Sequence, residues 1–265
     1  MSTWIIAVII FLAAYVINML YITVFYHRGL THSAIQLKPQ IRKWVALTGS
    51  WVTGIDPKAW ACMHRLHHLH SDTELDPHSP WNQGIFGVML GQLKSYERAL
   101  VGLARNHVQY TEVVKDLDFP ISWANRNRLW TLPYLLHVAI AILLGFAFHT
   151  PYIGLAYWLG IMSHPFEGFI VNSFAHRFGY RNHENADQSR NNTLVAWLTM
   201  GEGYQNNHHA HPAQAKFSER WFEVDTGYGL VLFAKFVGLL SLEPEQAAKI
   251  KFKQHGPAKI LQTIT

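Results

Sequence analysis

The sequence is poor in cysteine and in charge. Its 265 residues include one cysteine, Cys62. That excludes an intramolecular disulfide, a thiolate zinc site and a chain-held iron–sulfur cluster, each of which needs several cysteines. A lone cysteine reads as core packing rather than as a redox group. Charged residues make up 15% of the chain, against about 25% in soluble domains. No Asp, Glu, Lys or Arg occurs from Ile5 to Tyr26, and no Lys or Arg from Met1 to His27 or from Leu129 to His176. All 22 basic residues therefore fall in two polar blocks. The formal charge of +5 comes with no basic run of a nucleic-acid motif, so no nucleic-acid partner is expected. Glu-x-x-His is absent, which disfavours the soluble carboxylate di-iron bundle. His-Glu-x-x-His is absent too, which disfavours a zincin.

Apolar and aromatic residues are plentiful. The chain is 49% apolar, with ten Trp, eleven Tyr and fifteen Phe, a membrane-protein profile in which Trp and Tyr favour the bilayer interface. About 20 apolar residues cross a hydrocarbon core as a helix. Three stretches qualify, about 4–26, 130–149 and 151–172, the last two joined by a turn at Thr150-Pro151. The first has no basic leader and no small-residue cleavage site, so it reads as a span rather than a signal peptide. Ile41 to Ile55 is apolar but short and begins with Arg42 and Lys43, which suits an interfacial or re-entrant helix. Thr226 to Leu240 reads as a second interfacial helix, and Lys94 to Asp118 as a solvated helical cap. The tail from Glu243 is charged and expected to be exposed or partly disordered. The expectation is an all-α integral membrane protein of one domain, 1–265, in which about three spans carry a cap formed by 27–129 and 173–265. The basic residues place that cap in the cytoplasm and the N-terminus outside, most simply in a bacterial inner membrane.

The seventeen histidines are clustered. His64, His67 and His68 stand at i, i+3 and i+4, one face of a helix. His27 and His32 bound a second cluster, and His208, His209 and His211 form a third. Neutral imidazole is the commonest metal ligand, and nitrogen-rich sites suit Zn, Cu, Fe and Ni. Eight or nine imidazoles exceed one ion, so two metals assembled from distant segments are expected. His137, His149 and His164 lack companions and read as hydrogen-bonded or interfacial. Glu167 lies inside a span, where a carboxylate is a functional candidate by default, or it snorkels from the span's end. Asp72, Glu74 and Asp76 either hydrogen-bond ligand imidazoles or cap turns.

The ordered pattern His-x4-His, His-x2-His-His and a late His-His resembles that of membrane fatty acid desaturases, most closely the stearoyl-CoA desaturase type in its short bacterial form. The residues that carry it are His27-Arg28, His64 to His68, Asp76-Pro77-His78, Asn172 to His176, Gly179-Tyr180-Arg181, Gly201-Glu202-Gly203 and Asn207-His208-His209. The resemblance implies a mushroom-shaped helical fold with a histidine-rich di-iron centre in the cap. It implies two iron ions (Fe2+) held by His27, His32, His64, His67, His68, His176, His208 and His209, with Asn172 contacting iron through water. It further implies O2 as co-substrate, a fatty acyl substrate on CoA, acyl carrier protein or lipid, and a cis double bond as product. The electron donor would be separate, such as a ferredoxin or a b-type cytochrome with its reductase. Arg65, Arg177, Arg181 and Arg190 either meet the acyl head group or are charges that support the ligands or follow the positive-inside bias. Trp51, Trp60, Trp197 and Trp221 either wall an acyl tunnel or pack in the core or interface, the reading preferred for each. Two departures stand out. Gln205 occupies a position where the family often has His, so its amide oxygen would hold iron weakly or through water, with His211 a bystander. The spanning helix that precedes the first cluster's span in the animal enzymes is also not expected here, so the lipid-facing wall is expected to differ. The alternatives are a membrane di-iron acyl or alkane hydroxylase, an inactive relative, and a histidine-rich metal carrier.

Overall fold

A computed structural model describes residues 2–76 and 78–242. The tail from Glu243, expected to be exposed or partly disordered, lies outside the described residues. Helix α1 (Thr3–Met19) is apolar on every side and continues without a break as a π-helical segment (Leu20–Thr31). Together they form a 29-residue rod, the one described helix long and apolar enough to cross a membrane. A two-residue strand β1 (Gln36–Leu37) follows. Helix α2 (Pro39–Thr53) starts on a proline and stops at Gly54, whose φ of 79° lies in the left-handed region. At about 1.5 Å per residue it is too short to span, and it exposes Trp44 and Leu47. Helix α3 (Pro57–His70) is capped by Asp56, which accepts from the Lys58 and Ala59 amides.

Helix α4 (Pro80–Ala104) is kinked at Gly84 and buries Val88, Gln92, Ala99 and Leu103 while exposing Lys94, Glu97 and Arg98. Short turns α5 (Val108–Thr111), a 3-10 turn (Glu112–Val114) and α6 (Trp123–Arg126) complete this part of the cap. The apolar helix α7 (Leu132–Ala147) pairs with α8 (Pro151–Ile161), and α8 packs along α1. Gly160 permits that approach, because a Cβ there would lie 3.0 Å from both Ala14 Cβ and the Tyr15 amide. The outer faces of α1, α7 and α8 expose Ile5, Leu12, Leu143, Phe146 and Leu155.

The third expected span is not one helix. It divides into α8 and α9 (His164–Phe174) at Met162-Ser163. Pro165 has no amide proton to offer the Ile161 carbonyl four residues back. The side chain of Asn18, fully buried on α1, donates to that carbonyl instead at 2.8 Å. The break redirects the chain so that α9 packs on α4. Short helices α10 (Thr193–Leu198) and α11 (Gln205–Ala210) follow. Helix α12 (Thr226–Phe236) lies on the π-helical segment, and strand β2 (Leu240–Ser241) pairs antiparallel with β1.

Candidate metal centre

Helix α3 brings two turns of histidine into the cap. His64 and His68, at i and i+4, project with His27, His32 and His208 into one group whose ligand nitrogens all lie within 4.8 Å of one another. His67, three residues along the same helix, points into a second group with His176 and His209. The eight histidines named from the sequence therefore divide five and three. In the larger group the Nε2 atoms of His27 and His208, of His64 and His68, and of His68 and His208 are each 3.0 Å apart.

Carboxylates fix the rings. Asp76 accepts from His67 Nδ1 at 3.1 Å, Asp72 from His176 Nδ1 at 2.9 Å and Asp187 from His209 Nδ1 at 3.0 Å. Glu202 accepts from His27 Nδ1 at 2.6 Å. A proton held on Nδ1 leaves Nε2 as a lone pair. The Nε2 atoms of His67, His176 and His209 are buried and have no hydrogen-bond partner. Three buried lone pairs facing one another are repulsive unless a cation lies between them, so the donor set fits a nitrogen-preferring metal ion.

The electrostatics agree. Burial alone raises the carboxyls of Asp72, Asp76, Asp187 and Glu202, but their imidazole partners outweigh it and hold all four below the usual carboxylate range. Burial depresses His64, His68 and His208 well below the ordinary imidazole value, and His209 to about 4. These rings are neutral at pH 7, the state that binds metal. His67 moves the other way because Asp76 overcomes its burial.

Several sequence expectations change. Asp72 and Asp76 do bond ligand imidazoles, whereas Glu74 is exposed. Arg65 is not a head-group residue. Its guanidinium is buried and saturated by the Leu30, Thr31 and Val113 carbonyls and by Asp116. Arg181 bonds the carbonyls of His183 and Asn185, bracing the loop that carries Asp187, and Arg190 donates to the Gly179 carbonyl. Arg177 lies exposed with its guanidinium 3.9 Å over the Trp81 ring. Trp197 and Trp221 are surface residues, while Trp60 stacks on His64. His137 and His164 are hydrogen-bonded, to Tyr157 and the Trp51 carbonyl and to Asn18. His211 sits apart from both groups, beside His183 and Glu219.

Sequence reasoning missed Asp187, Glu202 and His78 as site residues. Glu202 is held in place by the buried Arg28, which also reaches Asp225. His78 stacks on His67 with ring centres 4.6 Å apart, and both of its ring nitrogens lack partners. A cavity opens beside the five-histidine group. It is lined by His27, His64, Asn172 and Gln205 and by Met19, Ile22, Tyr134 and His164. Gln205 donates to the Glu202 carbonyl, while its buried side-chain oxygen has no partner.

The fatty acid desaturase family profile matches residues 2–218. An acyl-CoA 5-desaturase of Anemone leveillei is 30% identical over 82% of this chain and 65% of its own length. An icosanoyl-CoA 5-desaturase of Limnanthes douglasii is 32% identical over 88% of this chain and 64% of its own. An sn-1 stearoyl-lipid 9-desaturase of Synechocystis sp. is 31% identical over 85% of this chain and 69% of its own. The chain thus spans just under two thirds of the length of the two plant relatives. With its histidine clusters in the order and setting described, and a match over most of its length, the chain belongs to the fatty acid desaturase family.

Proposed function

We propose that this chain is an O2-dependent acyl desaturase that holds two iron ions. The five-histidine group would take one and the three-histidine group the other. The observation that carries the reading is the pairing of carboxylate-fixed imidazoles, their Nε2 lone pairs converging, with an apolar-walled cavity that ends on His27 and His64. The overall reaction converts –CH2–CH2– with O2, two electrons and two protons into –CH=CH– and two molecules of water. Iron reduced by an external donor supplies the O2-dependent oxidation of unactivated C–H bonds.

The chain's own residues do the rest. The cavity wall, with Trp60 and Met63 beside His64, orients an acyl chain and keeps water from it. Asp72, Asp76, Asp187 and Glu202 hold the ligand rings in one tautomer. Asn172 and Gln205, both on the cavity wall, would hold a water. Relatives act on acyl-CoA and on acyl-lipid by name, so either carrier is compatible, as is acyl carrier protein. Exposed Arg177 is the remaining head-group candidate.

In this reading α1, α7 and the α8–α9 pair lie in the membrane. The cap faces the cytoplasm of a bacterial inner membrane and the N-terminus lies outside, following the basic residues. A separate ferredoxin or b-type cytochrome would dock on the cap. The test is the fatty acid profile of a desaturase-deficient host expressing the chain, beside a His67→Ala control. A new monounsaturated acid, lost in the control, is the expected result. A hydroxylated acid would replace this reading with an oxygenase, and no new acid from a protein carrying two irons and supplied with reductant would overturn it.

A further inference from the structure

The cavity beside the five-histidine group contains one acid that the proposed chemistry does not use. Helix α9 presents His164, Glu167, Gly168, Val171 and Asn172 to it, positions i, i+3, i+4, i+7 and i+8 of a single face. The other polar groups on the wall are mostly committed. His164 is tied to Asn18, the Gln92 amide to the Pro165 carbonyl, the Thr199 hydroxyl to the Val195 carbonyl, and Glu202 to His27 and Arg28. Glu167 differs. It is 8% exposed, and neither of its carboxyl oxygens makes a well-formed hydrogen bond among the described residues; the neighbouring Ser163 hydroxyl donates its proton to the Gly160 carbonyl at 2.9 Å instead. It does not snorkel to a surface, and no described cation pairs with it.

A buried carboxyl without a partner is costly in either protonation state, because it loses the water that would bond it. A saturated acyl chain cannot replace that water. A hydroxyl can, since it donates to a carboxylate and both donates to and accepts from a carboxylic acid. Resting on the reading of this cavity as the acyl site, we propose that the preferred substrate is a hydroxyacyl chain whose hydroxyl is bound by Glu167, which makes Glu167 a specificity-determining residue. Five residues of helix separate Glu167 from Asn172, about 7.5 Å along the axis. The hydroxyl therefore lies several carbons along the chain from the part that runs beside Asn172.

The test is a competition at equal concentration between a saturated acyl chain and a series of monohydroxy chains on the same carrier, using iron-loaded full-length protein. Wild type is expected to prefer one hydroxyl position by at least about tenfold in kcat/KM, because a site built to bond a hydroxyl rejects the analogue that lacks it. Glu167→Leu inverts the preference, and Glu167→Gln, which still donates and accepts, retains most of it. Melting shifts given by the same chains with iron-free protein provide a second measure that needs no turnover. Selective melting shifts without oxidation of any chain would sink the desaturase reading and leave hydroxyacyl binding standing. Equal use of plain and hydroxylated chains by wild type, or an equal loss of both in Glu167→Leu, would place a buried water on Glu167 and overturn the proposal.

Discussion

Removing Asp72 should empty one metal group and spare the other. Its Oδ2 accepts from His176 Nδ1 at 2.9 Å and from the Gln188 amide at 2.9 Å, and its Oδ1 accepts from Ser79 Oγ at 2.8 Å. The carboxylate thus fixes the His176 ring and ties the Asp187-bearing loop to the end of α3. In Asp72→Ala the ring loses its tautomer lock. Loss of such a partner lowers metal affinity about 10- to 100-fold, or roughly 1.4–2.7 kcal/mol. Asp72→Asn should fall between. Its carbonyl can keep both Oδ2 contacts and its NH2 can turn to Ser79 Oγ, so only the charge is lost, about half the strength of the bond. The assay is iron per chain after dialysis against a graded chelator. Wild type should release two ions late, Asp72→Ala one early and one late, and Asp72→Asn one at an intermediate point. Simultaneous loss of both ions in Asp72→Ala, with the melting temperature unchanged, would refute the division of the histidines into five and three.

Other outcomes follow from the same geometry. His64, His68, His208 and His209 have folded-state values below the unfolded value of about 6.5, so the folded protein binds fewer protons than the unfolded one as pH falls below 6.5. Its iron-free melting temperature should therefore drop between pH 7 and pH 5, with His67 alone among the shifted rings opposing; a flat profile would contradict the assignment. Cys62 is fully buried, and burial pushes its thiol up to about 12. Iodoacetamide at pH 8 should leave it unmodified until the protein is denatured, and rapid labelling of native protein would show that the α3 core is open. Arg65→Ala should cost about 3 kcal/mol by leaving Asp116 and three carbonyls without their donor. The yield of folded protein should fall, whereas a raised KM in fully folded protein would restore a head-group role.

The gathering of the histidines was largely legible in the sequence, because each histidine cluster lies within six residues and helix periodicity orients such neighbours. The i, i+3, i+4 run on α3 brings three rings among the clustered histidines, although one face serves two groups rather than one. The groups that orient the rings were less legible. Asp187 and Glu202 reach His209 and His27 from loops 22 and 175 residues away, and nothing local marks them except the Gly-Glu-Gly setting of Glu202. For Arg65 the sequence left a head-group role and a supporting role open, and its burial and saturated guanidinium favour the supporting one. The break in the third apolar run was hidden for a different reason. Hydropathy averages over Pro165, but the missing amide proton and the Asn18 bridge to the Ile161 carbonyl split the run into α8 and α9.

The spacing of His27 and His32 shows why one further piece of the site lay beyond periodicity arguments. In an α-helix, five residues at 3.6 per turn place two side chains about 140° apart, on different faces. Yet both rings enter the same group, with centres 5.0 Å apart. The reason is the π-helical register of Leu20–Thr31, in which hydrogen bonds run from i+5 to i. The His32 amide bonds the His27 carbonyl at 3.1 Å, so the two residues stand above one another. The spacing of five suits a π-turn as the spacing of four suits an α-turn. The same segment aims Arg28 at Glu202, the acid that fixes His27. Deleting Gly29 would bring the two histidines to the α-helical spacing of four. If α periodicity governed, that change would be harmless. The π-register argument instead expects His32 to leave the group and the five-histidine site to weaken by at least about tenfold, with the three-histidine site retained. Two ions held as in wild type by the deletion variant would refute it.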